Sequence, residues 1–330
     1  MPVRNEEEYL FSVVASLEAQ DYPKELLEII VADGMSGDST RMLLEEIKAR
    51  NPALMVIENP ERIVSTGLNR AIRCAKGDII IRIDCHASYS ESYVSSLIRY
   101  LRELKADNVG GLLETVPPND SRKAGAIAIS MSNPFGVGNS HFRIGTARVR
   151  EVDTVPFGCF RREVFDRIGL FDEDLVRNQD DEFNARMRKH GMKLYVVPDV
   201  VVRYYARDTY AKLFRMFYQY GYFKPLVNKR LGSPATLRQF VPVAFVLLLL
   251  GGVLIPWSPA WGLFVLAGVT CYLVANLCFS WHASRTGVVC ILTMYAHLVQ
   301  HVAYGVGYLA GIIDFLILRK KSNKSIAISR

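Results

Sequence analysis

Acidic residues are nearly absent from the last third of this 330-residue chain, although its 40 Lys+Arg and 33 Asp+Glu come close to balancing overall. Beyond about Arg238 the sequence is an almost uninterrupted apolar run, a composition that excludes an ordinary soluble domain there. The six cysteines (Cys74, Cys85, Cys159, Cys271, Cys278, Cys290) show no metal-ligand spacing and no Cys-x-x-Cys pair. That excludes a zinc ribbon and a dithiol redox site, and leaves small buried hydrophobes in a reducing compartment. The chain opens MPVRNEEE, with no secretory signal, so the N-terminal part is expected to stay in the cytosol. The bases form no stripe interleaved with aromatics, which argues against nucleic acid as a partner.

What is present divides in two. Half the residues are hydrophobic and 22% are charged, and those charges sit mostly before Arg238. The net charge of +7 thickens between Arg203 and Arg238 and again in the tail Arg319, Lys320, Lys321 and Lys324. Basic residues flanking apolar segments suit an anionic membrane face.

Along the first part, short apolar runs alternate with amphipathic ones. Met1 to Arg4 reads as the end of a strand, shortened relative to a full buried strand, as if an upstream start were missing. Asn5 is expected to cap a helix whose first turn is Glu6, Glu7 and Glu8, with Leu10, Val13, Val14 and Leu17 on its apolar face. Strands are expected at 28–32 (EIIVA), 54–58 and 78–83 (DIIIRI), and helices at 41–49 and 67–76. This alternation predicts an α/β fold, a mostly parallel sheet with helices on both faces. In such sheets ligands bind beyond the carboxyl ends of the strands, where the loops after Ala32 and Ile83 would meet. Residues 109–207 are less regular and hold the acidic run NQDDEFNAR.

From Asp208 to about Asn228 the pattern is that of an interfacial helix. Tyr210, Leu213, Phe214, Phe217 and Gly221 fall on one side, and Lys212, Arg215 and Gln219 on the other. Two apolar runs follow, 240–255 and 261–281, each near the ~20 residues that span a bilayer. Trp257, Trp261 and Trp281 stand where interfacial aromatics belong. A third run, 288–318, is too long for one upright helix and too short for two, which points to an in-plane or re-entrant piece. His297 and His301 within it have no third ligand nearby, so helix–helix hydrogen bonding is the expectation.

Three acidic clusters fall where the sheet places its crevice: Asp33 with Asp38, Asp84 with His86, and Asp180 with Asp181 and Glu182. Transfer of a sugar from a nucleotide diphosphate needs three such groups. It needs acceptors for base and ribose, charge stabilisation for the leaving diphosphate, and a base for the acceptor hydroxyl. Any one Asp at a strand end can instead be a turn residue; the convergence of three carries the argument.

VADGMSGDST, AKGDIIIRIDCH and NQDDEFNARM resemble the motifs of family 2 glycosyltransferases with the GT-A fold. MPVRNEE, DGMSGDSTR, Asp-x-His in place of Asp-x-Asp, LVRNQDDEFNAR and YGYFKP resemble the succinoglycan-biosynthesis ExoA-like subgroup. The resemblance runs from Met1 to about Lys224. It implies a cytosolic GT-A domain at 1–207, an interfacial helix and linker at 208–239, and a transmembrane region with a basic tail at 240–330. Pro2, Arg4 and Glu6 would line the nucleotide pocket and Asp33 would bind uracil. Asp84 would contact the ribose or diphosphate side, and His86 would stand at the metal-ligand position.

Asp180 would be the base, with Asp181 as the alternative register. A divalent cation, Mn²⁺ or Mg²⁺, is implied; imidazole in place of a carboxylate shifts preference toward Mn²⁺ and weakens binding before the donor arrives. The processive signature Gln-x-x-Arg-Trp is replaced by QYGYF, which favours addition of a single sugar; a hexose such as glucose is the expected one. Arg215, Gln219 and Lys224, with Lys229 and Arg230, could hold the diphosphate of a polyprenyl-linked acceptor, or serve only as membrane anchors. The implied whole is an inverting, UDP-sugar-dependent transferase of exopolysaccharide biosynthesis, multi-pass in the inner membrane with its catalytic domain cytoplasmic. A polyprenyl-phosphate sugar synthase and a non-catalytic membrane scaffold remain open at this stage.

Overall fold

The computed structural model of the protein describes residues 1–51 and 53–321, with only the backbone of Ile255 and Trp257. Lys324 and the Trp257 side chain, singled out above, therefore lie outside the described residues. The described chain forms two compact units: Met1–Glu114 with Gly145–Tyr204, and Thr115–Ile144 with residues 205–321.

The first unit opens with three parallel strands, β1 (Pro2–Val3), β2 (Ile29–Asp33) and β3 (Leu54–Glu58), paired in that order. Every residue of β2 is buried, as suits the central strand of a covered parallel sheet. Helices α1 (Leu10–Glu18), α2 (Thr40–Arg50) and α3 (Val64–Cys74) make the connections. The pairings Val3↔Asp33 and Asp33↔Glu58 bring the ends of all three strands level.

One boundary departs from the sequence reading. The first helix begins at Leu10, with no acid in its first turn. The N-cap of this helix is Tyr9, and Asn5 lies outside it with φ 55. Its side chain accepts from the Gly37 amide at 2.9 Å, while the amides of Asn5 and Glu6 donate to Ser36 Oγ (3.0 Å) and Thr40 Oγ1 (2.8 Å). Residues 5–8 thus lace the β1 loop to the β2 loop, and a single turn closed by the Tyr9 and Leu10 amides on the Glu6 carbonyl, both at 3.0 Å, leads into α1.

The second sheet runs β4 (Ile79–Ile81), β8 (Cys159–Arg161), β6 (Asn108–Val116), β9 (Leu194–Tyr205), β5 (Ala87–Ser88), with β7 (Arg150–Glu151) also on β9. β4 had been expected to extend the parallel sheet, but it pairs antiparallel with β8, Ile80 opposite Phe160. Its three isoleucines are only half-buried, which fits its place at the sheet's edge. A short apolar run does not by itself distinguish an edge from a covered centre. Gly111 on β6 lies so close to β9 that a Cβ would overlap the Val200 carbonyl, so only glycine fits there.

Helices α4 (Tyr93–Glu103), α8 (Arg162–Ile168) and α9 (Gln179–Lys189) complete the unit. Phe160, Phe165, Phe171 and Phe183 cluster with Leu68, Val164 and Met187. Phe183 is fully buried, its ring 4.4 Å from that of Phe171. Offset aromatic packing of this kind fixes ring orientation as well as area, and it seats the first turn of α9.

The second unit holds α5 (Arg122–Met131), the single turns α6 (Pro134–Val137) and α7 (His141–Ile144), and then α10 (Tyr210–Leu231), α11 (Phe240–Gly251), α12 (Pro259–Ser284) and α13 (Gly287–Gly311). Among the described residues, three stretches are long and apolar enough to cross a membrane: Leu237–Leu254, Pro259–Ser284 and Gly287–Ile317. The third is one helical element, α13 running into a π-helical turn at Ile312–Ile317, with no break for a re-entrant piece. Its 31 residues extend roughly 46 Å at ~1.5 Å per residue, against a hydrocarbon core of ~30 Å.

α10 is packed along α13 rather than laid out as a free amphipathic helix. Gly221 on α10 sits beneath the Tyr304 carbonyl, and Gly307 and Gly311 on α13 sit beneath those of Tyr218 and Tyr222. Small residues four apart let two backbones approach this closely. Gln219, expected on the outer face with Lys212 and Arg215, is buried instead, alongside Met216 and Phe223 of the same helix.

Candidate active site

The site is built at the ends of β1, β2 and β4 and at the start of α9, all within the first unit. β2 delivers Asp33 into a loop that folds back on it. Asp33 Oδ1 accepts from Ser36 Oγ at 2.6 Å and from the Ser36 amide at 3.2 Å, and Arg41 Nε lies 3.4 Å from Oδ2. Arg41 also reaches Glu58 at the end of β3, at 3.0 Å. Asp33 is only 2% exposed, so a buried carboxylate is satisfied by hydroxyl, amide and cation together, as burial demands. Pro2 lies opposite Ala32 in the register, and Arg4 follows directly beside Gly34.

The next loop carries a group that sequence reasoning passed over. Asn59 is buried, donates to the Ile63 carbonyl at 2.8 Å and accepts from Thr66 Oγ1 at 2.7 Å. It ties the β3 loop to the start of α3, as an Asn at a turn commonly does.

β4 leads into the segment Arg82–His86. The backbone of Asp84 is clamped by the buried hydroxyl of Tyr89, which accepts from the Asp84 amide at 2.9 Å and donates to its carbonyl at 3.0 Å. The carboxylate therefore stands on a fixed backbone. Arg82, 7% exposed, lies between two carboxylates: Nη2 is 3.6 Å from Asp84 Oδ1, and Nη1 pairs with Asp180 Oδ1. Neither Arg82 nor Tyr89 was singled out from the sequence. The available signal was a cation inside an otherwise apolar strand, which requires an acidic partner.

His86 presents Nδ1 to Glu6 Oε1 at 3.5 Å, with Glu6 3% exposed. Its ring lies 5.9 Å from that of Tyr204. A carboxylate beside Nδ1 favours the tautomer that leaves Nε2 as the lone-pair nitrogen, the arrangement seen around metal-bound histidines.

Asp180 is in the first turn of α9, where the helix dipole favours a negative charge. Loss of hydration pushes its carboxyl above the ordinary carboxylate value, Arg82 pulls it back down, and the charges of Asp84 and Asp181 push it up again. The side chain keeps an open edge, 35% exposed, which limits the first of these effects. Of the neighbouring acids, Glu182 is committed to Arg186 at 2.8 and 2.9 Å, leaving Asp180 as the carboxylate joined to Arg82.

The structure thus joins Arg82, Asp84 and Asp180 in one charged cluster, and pairs His86 with Glu6. Among the described residues no three His, Cys, Asp or Glu side chains are arranged to hold a metal ion. Asp84 and His86 supply at most two ligands, 18% and 21% exposed. Two protein ligands completed by phosphate oxygens and water is the usual composition of a nucleotide-bound divalent site, so these residues fit a cation that arrives with its substrate.

In the second unit, Arg215 is exposed while Gln219 and Lys224 are buried. Lys229 is committed to the Phe315 carbonyl at 3.0 Å. His297 bonds Asn276 at 2.8 Å and Ser280 at 3.2 Å, and His301 bonds the Phe135 carbonyl at 3.0 Å and Tyr272 at 3.1 Å. Both histidines serve packing between elements.

Residues 1–169 match the model of Glycosyl transferase family 2. The chain is 29% identical over 322 residues to the succinoglycan biosynthesis protein ExoA of Rhizobium meliloti (strain 1021), covering 96% of this chain and 94% of that one. It is 28% identical over 238 residues to a dolichyl N-acetyl-alpha-D-glucosaminyl phosphate 3-beta-D-2,3-diacetamido-2,3-dideoxy-beta-D-glucuronosyltransferase of Methanococcus voltae, covering 70% and 73%. Among solved structures, it resembles the mannosyltransferase PcManGT of Pyrobaculum calidifontis, solved with GDP-Man and Mn2+. The TM-score is 0.60 at 19% identity, over 93% of this chain and 85% of that one. S. aureus TarS 1-349 in complex with UDP gives a TM-score of 0.51 at 16% identity, over 94% and 89%.

Proposed function

Because the chain belongs to Glycosyl transferase family 2, with a GT-A fold and a nucleotide-sugar glycosyltransferase activity, we propose that it moves one sugar from a UDP-sugar to a polyprenyl-diphosphate-linked saccharide. The observation that carries the reading is the cluster in which one cation joins Asp84 to Asp180. Two carboxylates of distinct surroundings in one site suit two roles, donor binding and proton removal.

In this reading Pro2, Arg4, Glu6 and Asp33 line the nucleoside end, and Asp84 faces the diphosphate. A divalent cation held by Asp84 and His86 would supply charge stabilisation for the departing UDP. Asp180 accepts the proton of the acceptor hydroxyl as its oxygen bonds to the anomeric carbon and the bond to UDP breaks. One displacement with no protein nucleophile inverts the anomeric configuration. Asp181 is the alternative base. The chain's likeness to a protein named for succinoglycan biosynthesis supports an exopolysaccharide role, with glucose as the first donor to try. A relative named for a dolichyl phosphate-linked sugar supports a lipid-linked acceptor. Arg215, Gln219 and Lys224 are the residues proposed to meet its diphosphate. Three candidate spans among the described residues support a membrane location, and we assign the first unit to the cytoplasmic side.

Two consequences are measurable. Transfer is expected to stop with a chelator and return better with Mn²⁺ than with Mg²⁺. Glu6→Gln should raise the Mn²⁺ concentration for half-maximal activity about tenfold, since removing a carboxylate behind a metal-bound histidine typically costs that much. Equal recovery with both metals, or an unchanged Mn²⁺ requirement, counts against His86 as a ligand.

The pH profile of kcat should also carry an acidic limb. Asp180 must be ionised to act, and its carboxyl is raised, so activity falls as pH drops through a value above the ~3.9 of a free Asp. A limb at or below that value contradicts the assignment. The reading as a whole is tested by incubating detergent-purified protein with Mn²⁺, a panel of UDP-sugars and a bacterial lipid extract, and measuring UDP. Release that requires both metal and lipid supports it; release indifferent to lipid points to another acceptor.

A further inference from the structure

Arg82 has a place in the cluster that neither donor binding nor base chemistry explains. Its amide is fixed to the Gly158 carbonyl at 3.0 Å, and its guanidinium carbon sits 5.7 Å from the centre of the Phe157 ring. The side chain is 7% exposed, and Nε is buried with no hydrogen-bond partner among the described residues. Burying a guanidinium with a donor unsatisfied is costly.

Geometry gives the reason to keep it. One planar fork engages Asp180 Oδ1 with one nitrogen and lies 3.6 Å from Asp84 Oδ1 with the other. A lysine, a point charge on a flexible stem, cannot hold two carboxylates in a fixed relation this way. Resting on the function proposed above, we propose that Arg82 is a positioning residue that couples the donor site to the base. It takes Oδ1 of Asp180 and thereby aims Oδ2 at the acceptor hydroxyl. Because the same guanidinium borders Asp84, the base is oriented from the group that meets the donor. Arg82 touches neither sugar nor acceptor.

The test separates rate from affinity in the full-length, detergent-purified protein. Arg82→Gln and Arg82→Lys are compared with wild type for kcat, and for binding of UDP with Mn²⁺ by calorimetry. Misplacement of a base by about an ångström costs on the order of 100-fold. Arg82→Gln should therefore lose about 100-fold in kcat, with the dissociation constant within about threefold of wild type. Arg82→Lys, which keeps the charge and one contact, should recover roughly tenfold of that loss. An unchanged kcat in Arg82→Gln overturns the proposal. So does an affinity that falls in step with the rate, which would make Arg82 a donor ligand or a folding residue. Arg82→Lys decides the matter if Arg82→Gln does not fold. A wild-type protein that binds UDP but transfers no sugar would instead overturn the function on which this rests.

Discussion

Asp180→Asn should lower kcat by about 10²–10⁴, the range that a positioned general base contributes, while UDP binding stays near the wild-type value. The substitution preserves size and one acceptor oxygen but removes the capacity to take a proton. It also leaves Arg82 facing an amide instead of a carboxylate, with Asp84 as its remaining anionic partner. Structural damage should be small, because α9 is seated by Phe183 and its aromatic neighbours rather than by Asp180. Comparing steady-state rates with UDP affinity for Asp180→Asn and Asp181→Asn resolves which carboxylate acts. A large rate loss in Asp181→Asn alone would shift the base by one position.

The second large effect belongs to the other unit. Gly307→Val should prevent α10 from seating on α13. A Cβ at this position would overlap the Tyr218 carbonyl oxygen, and the contacted atom is backbone, which cannot swing aside. Overpacking in a core usually costs 1–3 kcal/mol, and a backbone-to-backbone contact has little room to relax. The variant should give much less folded protein in the membrane fraction, with a melting temperature well below wild type. Gly287→Val is the matched control: it lies on the same helix α13 with nothing near its added Cβ, so it should be far milder. Thermal melts of the two purified variants check this, and equal stability would mean the glycine contact is not tight.

The parts of the fold readable from sequence are those set by local pattern. The strands at 28–32 and 54–58 match β2 and β3 because continuous apolar runs bounded by turn residues leave few alternatives. Asp33 and Asp84 were found because a carboxylate following such a run stands out. What was missed depends on partners distant in the chain. The antiparallel pairing of β4 with β8 joins segments that no periodicity links. The false helix start at Asn5 arose because its capping side chain is used by Gly37, on another loop. Arg82 lies within an expected strand, and its partner Asp180 reaches it only through α9, nearly a hundred residues along the chain. Gly307 and Gly311 did carry a legible signal, small residues four apart in an apolar run, yet their partner Gly221 lies on a helix whose aromatic and basic faces suggested a membrane surface.

The proposed transfer of one sugar to a lipid-linked diphosphate saccharide is decided by mass spectrometry of the lipid fraction. Wild-type protein, Mn²⁺ and UDP-glucose are incubated with extracted lipid-linked acceptors, and the lipids are weighed before and after. The expected product is a polyprenyl-diphosphate saccharide heavier by a single hexose, absent with Asp180→Asn. A hexose found instead on polyprenyl phosphate itself would contradict the proposed acceptor, and several hexoses added in series would contradict single-sugar transfer.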